Sequence, residues 1–150
     1  MLKFNIPIRE FSKEDYLLST DETKLQVETI HKFLTNSYWA KNITYEIVKS
    51  SIENSFCFGV YKGDSQIGFA RIITDFTTFA YLADVFIVEE YRGKGLSKWL
   101  LATILNYPEL QGIRGWMLKT LDAHELYKKF GFNSPQYPER IMEHSPMKNQ

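Results

Sequence analysis

The sequence is short of several features that would assign a class at once. It holds one cysteine in 150 residues, Cys57, so no internal disulfide can staple the fold, and no metal is expected. It has no excess of charge: lysine plus arginine and aspartate plus glutamate both count 18, a formal net charge of zero. That removes the field expected of a nucleic-acid binder or of a protein drawn to anionic lipid, so partners must be recognised locally. No apolar run approaches the roughly 20 residues that would cross a bilayer, and there is no internal repeat. The N-terminus has no apolar stretch flanked like a signal peptide, and together these absences read as a cytoplasmic chain. Glycine is scarce as well, at 8 residues, which draws attention to two of them on either side of Lys94.

What is present is a chain long enough for one domain, 1–150, able to bury about two-thirds of its unfolded surface. Aromatics make up 15%, enough for a well-packed core or an aromatic-lined pocket. Asp21 stands as a helix N-cap before Leu25, Ile30, Phe33 and Leu34, which approximate one helical face. Thr44 caps a second helix with Ile47, Val48 and Ile52 as its buried stripe. "FCFGVYK" and "QIGFARIIT" read as two strands of a hairpin, turned at Gly63-Asp64-Ser65. The run from Ala80 to Val88 reads as a strand covered on both faces. A helix follows the glycines and ends near Asn106, because Pro108 confines Tyr107 to extended backbone. "IRGWMLKT" predicts another strand, "DAHELYKKFGF" a helix closed by Gly131 at C′, and "ERIMEHS" a last strand. The tail, 145–150, is expected to fray.

The segment "YRGKGLSKWLLATIL" joins a buried strand to a helix through a glycine-rich turn. Such a turn presents unpaired backbone N–H groups and the positive end of the helix dipole, which together bind phosphate oxygens. The plainer reading is a tight connection with solvated basic residues, Arg92 and Lys94. Two known phosphate cradles fail on the letters. A P-loop needs Gly-Lys followed by Ser or Thr, but Lys94 is followed by Gly95, and the required earlier glycine is absent. A dinucleotide fingerprint needs a third glycine where Lys98 stands and an acid about 20 residues on, near Ile113-Arg114-Gly115.

A third pattern fits. Arg92-Gly93-Lys94-Gly95-Leu96-Ser97 resembles motif A of the GNAT superfamily of acetyl-CoA-dependent N-acyltransferases, Q/R-x-x-G-x-G/A, with serine at the last small position. Ala123, Leu126, Tyr127, Lys129, Gly131 and Phe132 resemble that family's second landmark, correctly spaced and ordered. The resemblance covers roughly 20–145 and implies an α+β (α/β) fold: a mixed, mostly antiparallel central sheet of about six to seven strands, splayed between the fourth and fifth, flanked by about four helices. It further implies acetyl-CoA as cofactor. Backbone from Arg92, Gly93, Lys94, Gly95, Leu96 and Ser97 would hold the pyrophosphate. The pantetheine arm would pair with strand backbone over Phe86, Ile87 and Val88, the usual pairs falling at Phe86 and Val88. The resemblance also puts Thr120 and Ala123 among the cofactor-binding residues, the Thr120 hydroxyl substituting for the asparagine the family commonly has three residues before Ala123.

Attack by an amine on a thioester requires loss of a proton from a group with pKa near ~10.4, and return of one to the thiolate. By resemblance Tyr127 is the thiolate-protonating acid; by periodicity alone it packs with Ala123, Leu126 and Phe130 along one stripe. Asp84, the only acid inside "YLADVFIV", is either a desolvated base or a structural partner for a backbone N–H or an arginine such as Arg71. Glu89 and Glu90 read as solvated flanks of the helix entry, His124 as a surface or capping residue, His31 as an outer helix face, and Cys57 as core. His144 is assigned no place.

Acceptor recognition is expected from Tyr38 and Trp39 in the loop "NSYWAKNIT" and from Asp75 and Phe76 in the turn "TDFTTF". An aromatic pair with a carboxylate suits a small cationic amine; the alternatives are a tryptophan pinning its loop and an aspartate starting a turn. The functions in view are acetylation of a small-molecule amine, acetylation of a protein N-terminus or lysine, and a non-catalytic acyl-CoA-binding regulatory module. The family also makes a homodimer an expectation.

Overall fold

The computed structural model describes residues 3–146, so most of the expected frayed tail lies outside the described residues. The chain divides into two compact units after Lys119. In the first, six strands form one sheet in sequence order: β1 (Glu10–Lys13), β2 (Tyr16–Ser19), β3 (Phe56–Lys62), β4 (Ser65–Thr74), β5 (Ala80–Ile87) and β6 (Trp116–Met117). All neighbours are antiparallel except β5 and β6, which run parallel. The helices of this unit are α1 (Val27–Thr35), α2 (Tyr45–Glu53) and α3 (Leu96–Leu105).

The hairpin β1–β2 is an addition to the strands read from the letters. Its strands are four residues each, and β1 is mostly exposed. The register pairs Lys13 with Tyr16, so its turn is Glu14-Asp15, with Glu14 at φ 54°. Such a turn ordinarily announces itself by Asn-Gly or Asp-Gly; a glutamate gives no such signal. Because these two strands come first, the splay falls between the fifth and sixth strands of this chain. Among the described residues β5 and β6 pair only at Ala80↔Trp116 and Tyr81↔Met117, and the outer edge of β5 from Leu82 onward has no strand alongside it.

α1 and α2 cover one face of the sheet. Ile30, Leu34, Val48 and Ile52 pack there against Cys57, Phe69 and Phe86. Cys57 is core, as expected, and burial pushes its thiol up to about 12. Two helix expectations change. Asp21 caps a short 3-10 turn, Glu22–Lys24, and α1 starts only at Val27. Ile47 is not in the buried stripe: Thr44 caps α2 as expected, but Ile47 lies on the outer side of the first turn at 55% exposure. On the opposite face of the sheet Phe56 and Phe58 meet the Tyr107 ring, with centroids 5.4 and 5.2 Å apart. Tyr107 is extended (φ −64°, ψ 130°) just past α3, as Pro108 requires.

The second unit carries α4 (His124–Lys128). Ala123, Leu126, Tyr127 and Phe130 are half-buried, while His124, Glu125, Lys128 and Lys129 are exposed, so the helical stripe is real. Phe132 N–H donates to the Tyr127 carbonyl and Gly131 N–H to the Lys128 carbonyl, the paired closure that puts Gly131, at φ 90°, in the C′ position. The expected strand over 139–145 is absent. Pro138–Arg140 forms a 3-10 turn, and the residues after it are exposed, leaving no alternating face to bury against a neighbour.

Candidate active site

The glycine-rich loop follows from β5 through a 3-10 turn, Glu89–Tyr91, on which Glu89 and Glu90 are exposed as expected. Gly93 and Gly95 adopt φ of 77° and 78°, a region closed to most side-chain-bearing residues. Gly95 is the N-cap of α3 and offers no side chain to its first turn, so the opening N–H groups of the helix have no side-chain cap. A Cβ built at Gly93 or Gly95 meets nothing within 4 Å, and Arg92 through Gly95 are exposed. Leu96 is buried and anchors the helix start, with Ser97 half-buried beside it. The loop therefore offers backbone donors to an open surface.

Strand β5 supplies the second feature. Val88 N–H donates to the Ile67 carbonyl on the β4 side, and the Val88 carbonyl accepts from Tyr91 N–H. Both of its backbone groups are engaged within the chain, a correction to the expectation that Val88 presents them to a ligand. Alternation along the strand turns Ile87 the other way, toward the unpaired edge. Its carbonyl accepts from Arg92 Nε at 3.0 Å, tying loop to strand. Phe86 is paired with Phe69 across β4–β5 and turns its ring under α1, stacked on Phe33 with centroids 3.9 Å apart.

The register between β4 and β5 slips where Phe69 pairs with Phe86 but Arg71 with Ala83. Asp84 and Val85 thus oppose Ala70 alone, a β-bulge, with Asp84 in the left-handed region at φ 54°. Its carboxylate is 11% exposed and accepts two hydrogen bonds: Arg71 Nε to Oδ2 at 2.9 Å and Trp39 Nε1 to Oδ1 at 2.9 Å. A terminal guanidinium nitrogen of Arg71 donates in turn to Ser55 Oγ at 3.0 Å. Arg71, one of the partners considered from the letters, is in place. Trp39 and Ser55 had no local signal, lying 45 and 29 positions from Asp84 in sequence.

The four acceptor candidates separate. Tyr38 and Trp39 stay together, edge to face at 5.2 Å, both exposed, with Trp39 tilted against Phe33. Asp75 is consumed by its own turn. Oδ1 accepts from the N–H groups of Thr77, Thr78 and Phe79, and Oδ2 from the Thr78 hydroxyl. The Thr78 hydroxyl first, then these N–H groups, holds the carboxyl far below the usual carboxylate range. Phe76 packs on Phe4 and Phe56. Asp75 and Phe76 are thus turn and packing residues, because the turn needs an acceptor for its N–H groups.

Within the second unit, Thr120 Oγ1 accepts from Ala123 N–H at 3.1 Å and so caps the entry to α4. The Tyr127 ring packs edge to face on Phe132 at 6.0 Å. His31 is more than an outer-face residue: its Nε2 lies 3.0 Å from the Ile43 carbonyl, joining α1 to the segment before α2. His124 and His144 are exposed. Among the described residues no group of three or more His, Cys, Asp or Glu side chains is placed to hold a metal, and no helix is long and apolar enough to cross a membrane.

Comparison with known proteins agrees with this geometry. The acetyltransferase (GNAT) family model matches residues 20–132. A Gibberella zeae protein named as an acetyltransferase is 33% identical over 147 residues, covering 81% of this chain and 80% of that one. A solved Xanthomonas campestris structure of the GNAT family is 43% identical with a TM-score of 0.85, over 87% of this chain and 92% of its own. A GNAT acetyltransferase from Elizabethkingia anophelis, solved with acetyl-CoA bound, shares the fold at a TM-score of 0.64 and 12% identity, over 87% and 88%. The chain belongs to the GNAT family of acetyltransferases.

Proposed function

We propose that the protein transfers an acetyl group from acetyl-CoA to a primary amine of a small molecule by direct attack. The observation that carries this reading is the pair of left-handed glycines, Gly93 and Gly95, opening α3 beside a strand edge that has no partner strand among the described residues. Two phosphates need closely spaced backbone donors and no intervening Cβ, and this loop meets both conditions. Backbone from Arg92 to Ser97 holds the pyrophosphate, and the outward-facing N–H of Ile87, whose carbonyl already accepts from Arg92, pairs with the pantetheine arm. Acetyl-CoA supplies, when bound, an activated thioester carbonyl.

The protein's own residues then handle the protons, and its cysteine is closed to acylation. Tyr127 is the proton donor to the leaving thiolate, a role its phenol suits because its reference pKa of about 10 keeps the proton on at neutral pH. Cys57, the one cysteine, is 2% exposed, so it offers no thiolate to accept an acetyl group on the way. The acceptor attacks directly. A panel of small primary amines, assayed for free-thiol release from acetyl-CoA, tests the reading. The expected result is release that depends on at least one amine. Tight acetyl-CoA binding with no amine-dependent release from small molecules or peptides would favour a regulatory acyl-CoA-binding module, and release only with peptides would favour a protein substrate.

A further inference from the structure

Asp84 is built as if its carboxylate mattered for more than the sheet. It sits at the bulge in a backbone region that favours glycine, and its side chain is held from both ends by residues distant in sequence. The two donors are not equivalent. Arg71 is 15% exposed at its side chain and is itself fixed by Ser55, so it belongs to the framework. Trp39 is 42% exposed and stands at the tip of a loop whose backbone is closed without it. Ser37 Oγ accepts from Ala40 N–H, and Asn42 N–H donates to the Thr35 carbonyl. The indole can therefore turn away while the loop stays folded.

An ionised carboxylate has roughly four lone-pair sites, and Asp84 uses two. A neutral indole N–H is a weaker partner for it than an ammonium group, whose hydrogen bond is charge-assisted. Tyr38 and Trp39, both exposed, pack with Phe33 beside it, so the acceptor's apolar part meets aromatic surface at the same place. We infer that Asp84 Oδ1 is the seat of the acceptor's ammonium group and that Trp39 occupies it until the acceptor displaces the indole. Arg71 is the positioning residue that keeps the carboxylate aimed. This rests on the acetyltransferase reading and deepens it, assigning the acceptor as a primary ammonium compound recognised before it loses its proton.

The test follows Trp39 directly. With Trp99→Phe and Trp116→Phe, Trp39 is the remaining tryptophan of the three. This protein, saturated with coenzyme A, which carries no acetyl group to transfer, is titrated with benzylamine, phenethylamine and butylamine, each beside the alcohol of the same skeleton. At least one amine should shift Trp39 emission saturably while its alcohol does not. In the same background, Asp84→Asn should raise the half-saturating concentration of that amine at least tenfold. Trp39→Phe, read by calorimetry, should bind the amine no more weakly than its parent, because a competing donor is gone. Equal responses to amine and alcohol, an unchanged half-saturation in a folded Asp84→Asn protein, or no response to any amine while acetyl-CoA still binds would overturn the inference alone. Failure of acetyl-CoA to bind the wild-type chain would overturn the acetyltransferase reading and this with it.

Discussion

Arg92 donates from its guanidinium Nε to the Ile87 carbonyl at 3.0 Å, tying the glycine loop to the end of β5. The bond spans five residues and fixes where the N–H groups opening α3 stand relative to the open strand edge. Arg92→Ala should weaken acetyl-CoA binding by about tenfold, roughly the 1.4 kcal/mol of one charge-assisted bond. Calorimetric titration beside thermal melts checks this; a large loss of melting temperature with unchanged affinity would make the bond merely structural.

Gly95→Val places a β-branched side chain at φ 78°, a conformation costing on the order of 1–3 kcal/mol outside glycine. Space is not the obstacle, since nothing lies within 4 Å of the new Cβ. The protein should stay folded with a lowered melting point and, with the pyrophosphate held as proposed, lose measurable acetyl-CoA binding, because the new side chain would stand in its way. Gly95→Asn, which tolerates the left-handed region, should melt higher than Gly95→Val. Wild-type affinity in Gly95→Val would show the cradle to be elsewhere.

Asp75 makes a prediction about pH. Hydrogen bonds from the Thr78 hydroxyl and the turn's N–H groups depress its folded-state pKa below the unfolded value of about 3.9. Its contribution is therefore complete above about pH 4 and fades as pH falls through the strongly acid range. Asp75→Ala should melt lower than wild type at pH 7, and the gap should narrow steadily below about pH 4. A gap that does not change with pH would mean that the carboxylate's charge contributes nothing to the turn.

Tyr127→Phe keeps the ring on Phe132 and within the Ala123–Phe130 stripe, so stability should change by roughly 1 kcal/mol, about one hydrogen bond. If the phenol protonates the thiolate, turnover should fall by the ~10²–10⁴-fold typical of a lost general acid, with acetyl-CoA affinity nearly constant. Turnover within threefold of wild type would leave Tyr127 a packing residue.

How far the letters reached depended on whether the cause was local. Thr44 capping α2, Pro108 ending α3 and Gly131 closing α4 each act within a few residues of the motif that signals them. The glycine loop was legible for the same reason. The β1–β2 hairpin was not, because Glu14 carries a left-handed turn that its side chain does not advertise. The fate of Asp75 could be named only as an alternative, since an aspartate before two threonines serves a turn or a ligand equally well on paper. The Trp39–Asp84–Arg71–Ser55 chain is tertiary throughout, and only the fold brings its members together.

Direct transfer from acetyl-CoA to an amine leaves its mark in the amount of thiol released per protein. The protein is mixed with acetyl-CoA alone and released thiol is followed rapidly; an accepted amine is then added, and thiol and N-acetylated product are counted together. Direct transfer should give no stoichiometric burst before the amine, then one thiol for each amide formed. A burst of one thiol per protein before any amine is present, or thiol released without amide, would contradict it.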